Sequence, residues 1–325
     1  MKKNIALVTG GYSGESVISY KSAATIFDNL DRTKWNVFLI DINVEGWFYT
    51  DDNNNKISID KNDFTLQIVN EKIHFEAVMI GLHGTPGEDG KLQGYFDCLN
   101  IPYTSCDVTS SAITFNKRYT VAVAAFAGIP VAKSMHLFKH TSFEIEDLLK
   151  ELSLPVFVKP NNGGSSLGMS KVNQPEDLSG AIAKAFGVDD QVLVEEYISG
   201  REFTIGVFKT KGEIITLPIT EIVTQNEFFD FQAKYEGASE EITPAKITDA
   251  MATKICMEAK KAYQIFNCNG VVRIDFIYNE NANKPFLLEI NTVPGQSAAS
   301  IIPQQVKVMG WSLQEFYSKL LEECF

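Results

Sequence analysis

The chain has 325 residues, 45% hydrophobic and 22% charged, enough for two or three domains with full cores in an ordinary globular protein. Forty-one acidic against 29 basic residues leave a net charge of −12, which argues against a general binder of nucleic acid or anionic membrane. A polyanion such as ATP stays compatible where metal ions and a few placed cations neutralise it locally. Five scattered cysteines, Cys98, Cys106, Cys256, Cys268 and Cys324, form no CxxC pair, so neither a zinc site nor a disulfide framework is expected and reduced cytoplasmic thiols are the simplest reading. No apolar run approaches the ~20 residues of a membrane span. The opening MKKNIALVTGG has too short an apolar stretch for a secretory signal and reads as a first strand.

In chain order, residues 4–9 are a buried-strand run ending at Gly10-Gly11. Residues 16–30 follow with a helical pattern carried by Val17, Ala24, Ile26 and Leu30. Strands are expected at 35–42 and 75–82, the latter leading into HGTPGEDGKLQG. Alternating strands and helices imply a largely parallel α/β sheet over about 1–110. Binding loops of such sheets lie at the carboxyl ends of strands, where the Gly10-Gly11 turn and the His83 loop fall. NKRYTVAVAAFAG reads as a helix closed by Gly128-Ile129-Pro130. Strands at 155–160 and 191–198 flank a Gly/Ser loop and the helix PEDLSGAIAKAF. Segments 202–209 and 213–222 continue an antiparallel sheet. Residues 224–245 keep no steady period, which marks a lid or binding loop at about 224–240. A helix (248–266), two strands and a terminal helix near 311–323 complete the chain.

Those two strands carry the strongest chemical signal. Arg273 and Asp275 in GVVRIDFIY, and Glu289 and Asn291 in PFLLEINTVPG, are each two residues apart, so each pair points to one side of its strand. Val272, Ile274 and Phe276, with Leu288 and Ile290, make the opposite side apolar. Side by side, the strands would share an Arg, two carboxylates and an amide on one otherwise dry surface, where unpaired charge is costly. Such oxygen donors suit Mg²⁺, which takes one or two carboxylates and leaves the rest to water and phosphate. The plain alternative is a structural ion-pair network. Lys159 beside NGGSSLG offers a point charge and backbone N–H groups to phosphate oxygens, although the order is not that of a Walker loop and no GxGxxG is present. Glu195 and Glu196, with Glu202 after the Gly-Arg turn, are natural acceptors for an adenine amino group or ribose hydroxyls, against the alternative of solvated strand-end charge.

GGYSGE, HGTPGEDGKLQG, KPNNGGSSLGMSKV, EEYISGREFT, AKY, RIDF and LLEINTVPG, in that order and spanning essentially the whole chain, together resemble the D-alanine–D-alanine ligase family of ATP-grasp enzymes. The resemblance implies an α/β fold of three domains: an N-terminal parallel α/β substrate domain (1–112), a central ATP-grasp subdomain with the Gly/Ser phosphate loop (113–209) and a C-terminal catalytic domain (210–325), the last two clamping ATP. It implies ATP-dependent joining of two D-alanines through an acyl phosphate, with ADP and phosphate released, for peptidoglycan precursors. Two Mg²⁺ (or Mn²⁺), a cytoplasmic location and a homodimer are implied with it, and neither nucleic acid nor membrane is an expected partner.

Carried over by matching motif, Lys117 and Lys159 resemble the lysines on the ATP phosphates, and Gly164, Ser165 and Ser166 the loop covering them. Glu195 resembles the adenine-side glutamate with Glu196 and Ile198 following it, Glu202 the ribose ligand, and Lys234 a further nucleotide contact. Asp275, Glu289 and Asn291 match the metal ligands. Glu15 resembles the residue that holds the first substrate's ammonium, with Ser165 and Tyr235 as companions, and Arg273 and the Gly295 amide resemble the oxyanion-stabilising pair. Ser300 and Ile301 are placed like binders of the second substrate's carboxylate, and His83 lies in a substrate-side loop. Tyr235, where ester-forming relatives tend to carry Phe, favours an amine acceptor. The chain departs from the pattern at Ser16, where a basic residue is usual, at Gln232, usually acidic, and at Asn162-Gly163. The rival readings are a ligase or ester-forming relative acting on other substrates, and a nucleotide-binding regulator without turnover, for which an oxyanion donor would be superfluous. A hydride-transfer enzyme lacks its GxGxxG.

Overall fold

The computed structural model describes residues 2–163, 168–224 and 239–325. Gly164, Ser165, Ser166, Lys234, Tyr235, Gln232 and most of the expected lid lie outside the described residues.

The first sheet has the order β6-β5-β4-β3-β2-β1-β7, with β1 (Lys3–Gly10), β2 (Trp35–Asn43), β3 (Gly46–Thr50), β4 (Lys56–Asp60), β5 (Thr65–Ile68), β6 (Glu71–Ile73) and β7 (Ala77–Ile80). Its centre is parallel as expected, β1 pairing with both β2 and β7. From β2 outward it is an antiparallel meander, because connections of two to five residues cannot hold the crossover that a parallel pair needs. β1 is buried on both faces, with Ile5 and Leu7 on one side and Ala6 and Val8 on the other.

Helix α1 (Ser16–Asn29) lies on the first of those faces, but its buried stripe is Ser19, Ser22, Ala23 and Ile26. Val17, expected in the stripe, is 58% exposed, and Ala24 is exposed as well. Two serines hold the inner face because their hydroxyls bond the neighbouring loops, and a count of apolar spacing alone misplaces the helix by about one residue. On the other face lies α2 (Lys91–Leu99), followed by α3 (Val108–Phe115) and α4 (Lys117–Phe126), where Asn116 caps α4 by accepting from Tyr119 N–H.

A second sheet, order β10-β9-β11-β8, is antiparallel throughout and comprises β8 (Ser134–Phe138), β9 (Val156–Pro160), β10 (Ser170–Val172) and β11 (Gln191–Glu196). Leu148 of α5 (Ile145–Glu151) and Leu178, Ile182 and Ala185 of α6 (Leu178–Phe186) close its core. The third sheet runs β15-β14-β12-β16-β17, with β13 also on β12: β12 (Arg201–Thr210), β13 (Glu213–Thr216), β14 (Thr220–Thr224), β15 (Ser239–Ile242), β16 (Val271–Asn279) and β17 (Lys284–Asn291). Segment 202–209 therefore opens this sheet, and the change of sheet falls between Glu196 and Arg201. Helix α7 (Asp249–Ile265) covers its apolar face.

The last two helices, α8 (Ile301–Val308) and α9 (Leu313–Glu322), bind the first sheet to the third. Ile302, Val306, Phe316 and Leu320 pack with Ile5 and Leu7 of β1 and Phe208 of β12. Each such buried side chain contributes about 1.5–3 kcal/mol, so this seam outweighs any single polar contact across it. Among the described residues no helix is long and apolar enough to cross a membrane.

Candidate active site

β16 and β17 are antiparallel neighbours, with Arg273 opposite Asn291 and Asp275 opposite Glu289. The four side chains meet on one face, as their spacing requires. Arg273 Nε donates to Asp275 Oδ1 at 3.0 Å and its Nη2 to Oδ2 at 2.8 Å, while Glu289 Oε1 lies 3.7 Å from the same Nη2. Asn291 Nδ2 reaches Glu289 Oε1 at 3.4 Å. Val272, Ile274 and Phe276 are fully buried on the far side, and Ile290 nearly so. Leu288 is the exception. A bulge between Asp275 and Phe276 makes it the extra residue, so Leu287 takes the core position and Leu288 joins the cavity wall.

The neighbouring strand β12 adds two residues to this polar face, Glu202 and Thr204. Thr204 sits opposite Asp275, and its hydroxyl donates to Asp275 Oδ1 at 2.5 Å. Among the described residues no three His, Cys, Asp or Glu side chains converge as a metal cluster. The set reaches three oxygen donors only with the Asn291 amide, which suits a hard cation that completes its shell with water and phosphate.

On one side of this face opens a cavity of about 390 Å³, walled by both the second and third sheets. Lys159 from β9 and Glu195 from the adjacent β11 form an ion pair on its wall, the lysine standing opposite Leu193, two residues short of the glutamate. Glu196 points the other way along the strand, and its carboxylate accepts from Ser153 N–H at 2.8 Å, so only its backbone serves the cavity. Ile198 and Glu202 line the same wall, as does Arg201, whose guanidinium makes a two-pronged ion pair with Glu221 at 2.7 Å that raises its pKa. Lys117, first residue of α4, donates its ammonium to Gly163 O at 2.7 Å. Asn161, which motif reading did not single out, ties this corner together: its side-chain oxygen accepts from Arg118 N–H at 2.8 Å and its carbonyl from Lys117 N–H at 3.1 Å.

On the other side a cavity of about 330 Å³ runs toward the first sheet and contains Glu15, His83, Gly295, Ser300 and Ile301. The two cavities share Lys117, Glu202, Ile222, Asp275, Leu288 and Glu289, so the carboxylate pair stands at their junction. Glu15 lies at the N-terminus of α1 against Gly84, where φ is +67° and a Cβ would fall 2.6 Å from Glu15 Oε2. His83 is buried, with Nε2 2.8 Å from Ser22 Oγ and Nδ1 3.5 Å from Glu88 Oε1. Ser22 Oγ also accepts from Gln296 N–H at 3.1 Å. One hydroxyl of α1 thus holds both the histidine and the chain next to Gly295. Ser22 and Glu88 carried no signal in a spacing argument. Ser300 starts α8 without a side-chain cap, its hydroxyl lying 2.7 Å from that of Ser297. Ser300, Ile301 and Ile302 at this helix start line the cavity, and the N-terminal end of a helix is a favourable place for an anion.

The structure brings together every expected site residue that it describes, apart from the Glu196 carboxylate. Two sheets enclosing a cleft of lysines and carboxylates, with an Arg-Asp and Glu-Asn strand pair where that cleft meets a second cavity, define an ATP-grasp enzyme. The D-ala D-ala ligase N-terminus family matches residues 4–106, and the D-ala D-ala ligase C-terminus family matches residues 123–322. The D-alanine--D-alanine ligase of Flavobacterium johnsoniae is 45% identical over 320 residues, 98% of each chain. The VanG D-Ala:D-Ser ligase from Enterococcus faecalis superposes with a TM-score of 0.89 at 31% identity over 100% of both chains. For the D-alanine--D-alanine ligase from Bacillus anthracis complexed with ATP the values are 0.79 and 25%, over 99% of this chain and 97% of that one. The chain belongs to the D-alanine–D-alanine ligase family.

Proposed function

We propose that this enzyme joins two D-alanines into D-alanyl-D-alanine at the expense of ATP, releasing ADP and phosphate, as a step in making peptidoglycan precursors. The observation that carries this reading is the Arg273, Asp275, Glu289 and Asn291 face at the junction of the two cavities, one lined by lysines and carboxylates and the other by Glu15, His83 and Ser300. A carboxylate resists attack by an amine. Its oxygen must first displace ADP from the γ-phosphorus, which is mainly a problem of positioning and electrostatics. Lys117 and Lys159 are suited to the phosphates, Glu195 and the backbone at Glu196 and Ile198 to adenine, and Glu202 to the ribose. Asp275, Glu289 and Asn291 would hold two Mg²⁺ (or Mn²⁺), which disperse phosphate charge when bound.

Glu15 faces the ammonium of the first amino acid, and the start of α8 at Ser300 and Ile301 receives the carboxylate of the second. The second amine attacks the acyl carbon, loses a proton and expels phosphate, and the oxyanion formed on the way is met by Arg273 and the Gly295 N–H. Lys234, Ser165, Ser166 and Tyr235 keep the roles their motifs imply. The same reading places the enzyme in the cytoplasm as a homodimer. It also keeps three domains, with the second boundary redrawn between Glu196 and Arg201 on sheet membership.

The direct test is incubation with ATP, Mg²⁺ and D-alanine, followed by phosphate release and chromatography for the dipeptide. D-Alanine alone should support turnover, and L-alanine should not. Equal rates with D-serine or D-lactate as second substrate would replace the amine-specific D-alanine reading with a broader ligase.

A further inference from the structure

We propose that Gln305 is a positioning residue for the second substrate, a role that rests on the ligase reading above. Gln305 is fully buried, one helical turn after Ile301 in α8. Its Oε1 accepts from Gly206 N–H at 2.9 Å, and its Nε2 donates to Thr204 O at 3.1 Å and to Thr220 Oγ1 at 3.0 Å. Bonding the carbonyl of one residue and the N–H of the residue two further on is what a single residue of a parallel partner strand would do.

The need for such a substitute is local. β12 pairs with β14 at residues 202–204 and with β13 at 207–210; between those partners Leu217 N–H donates to Gly206 O at 2.8 Å and Pro218, next in the chain, has no N–H to give. The Gln305 carboxamide fills the gap from the helix side. In doing so it fixes the residue whose hydroxyl holds Asp275, since Thr204 Oγ1 donates to Asp275 Oδ1 at 2.5 Å. Gln305 therefore ties the start of α8, with Ser300 and Ile301 in the cavity, to the strand that orients the carboxylate at the junction. Its neighbour Gln304 bonds Glu241 Oε2 at 2.8 Å and adds a second anchor for the same turn.

The test compares Gln305→Leu and Gln305→Met with the wild type in steady-state phosphate release, varying D-alanine and ATP separately and measuring ATP binding by calorimetry. Loss of the carboxamide is expected to raise the KM for D-alanine as second substrate about tenfold, the scale on which supporting polar partners act. The Kd for ATP should stay within about twofold. A fall in thermal stability with both D-alanine sites unchanged, or equal loss at both sites, overturns the proposal. Abolition of ATP binding in both variants overturns it too, since Gln305 is then a determinant of folding without a selective part in substrate placement. If the wild type makes no dipeptide, the ligase reading itself fails, an outcome distinct from either.

Discussion

Replacing Arg273 with alanine should lower stability, the Mg²⁺ requirement and turnover, and only the first should be rescued by metal. In the intact site the guanidinium makes charge-assisted bonds to both Asp275 oxygens, at 3.0, 3.3 and 2.8 Å, and stands 3.7 Å from Glu289. Without it, two carboxylates directly opposite each other on the ladder, roughly 5 Å apart, repel by about 3 kcal/mol at an effective dielectric of ~20. Asp275, 7% exposed, keeps Thr204 as a donor but loses its countercharge. A stability loss of about 2–3 kcal/mol in magnesium-free urea titrations follows, since partial exposure of Glu289 screens part of the repulsion. Millimolar Mg²⁺ should restore much of that loss by taking the guanidinium's place, and the concentration of Mg²⁺ giving half-maximal activity should fall. Mg²⁺ does not restore turnover: losing one oxyanion donor costs ~10²–10³ in kcat. A variant that folds, binds ATP and turns over within tenfold of wild type at saturating substrates would remove Arg273 from the reaction and leave the cluster a structural ion-pair network.

Three other perturbations probe the supports of the site. Ser22→Ala leaves His83 Nε2 and Gln296 N–H without their buried partner, which should cost about 1–3 kcal/mol in stability and ~10–100-fold in kcat; wild-type kinetics would show that the hydroxyl only fills space. Gly206→Ala places a Cβ 2.7 Å from Ile302 Cδ1 and 2.9 Å from Gln305 Oε1, so a loss of about 1–3 kcal/mol is expected, with a higher KM for D-alanine as second substrate. An unchanged unfolding midpoint would mean that α8 shifts freely. Burial pushes the Cys324 thiol up to about 12, so the native state resists ionisation that the unfolded chain undergoes near 9. Its contribution to stability is complete below about pH 9 and fades as pH rises toward 12. Native protein at pH 8.5 should take up iodoacetamide far faster at exposed Cys98 than at half-buried Cys324, and equal rates would contradict the raised thiol pKa.

What could be read from the sequence was what a strand's period of two enforces. Arg273, Asp275, Glu289 and Asn291 share a face because no other β geometry is available to residues two apart, and their apolar alternates had to go to the core. The reading failed where a local irregularity breaks that period, as at Leu288, or where a helix buries polar residues. In α1 the inner positions belong to Ser19 and Ser22, which an apolar count passes over. Partners supplied by a different element were equally invisible. Thr204 acquires meaning only when β12 lies beside β16, and Gln305 only when α8 lies beside β12.

This difference has a physical basis in how such a site is held. The reacting groups must face solvent-filled cavities, so they stand out as charge among apolar residues along one strand. The groups that orient them are themselves buried and need only satisfy one another, and their partners lie 71 residues away for Thr204 and Asp275, and 101 for Gln305 and Thr204. A buried carboxamide bonded on three sides loses all three bonds if α8 slides by even a fraction of a turn, whereas the apolar contacts of Ile302 and Val306 can re-form after small shifts. Apolar packing therefore accounts for the attachment of α8 to the sheets, and the polar bonds of Gln305 account for its register against them. An enzyme that must set an amine against an acyl carbon depends on the second as much as on the first.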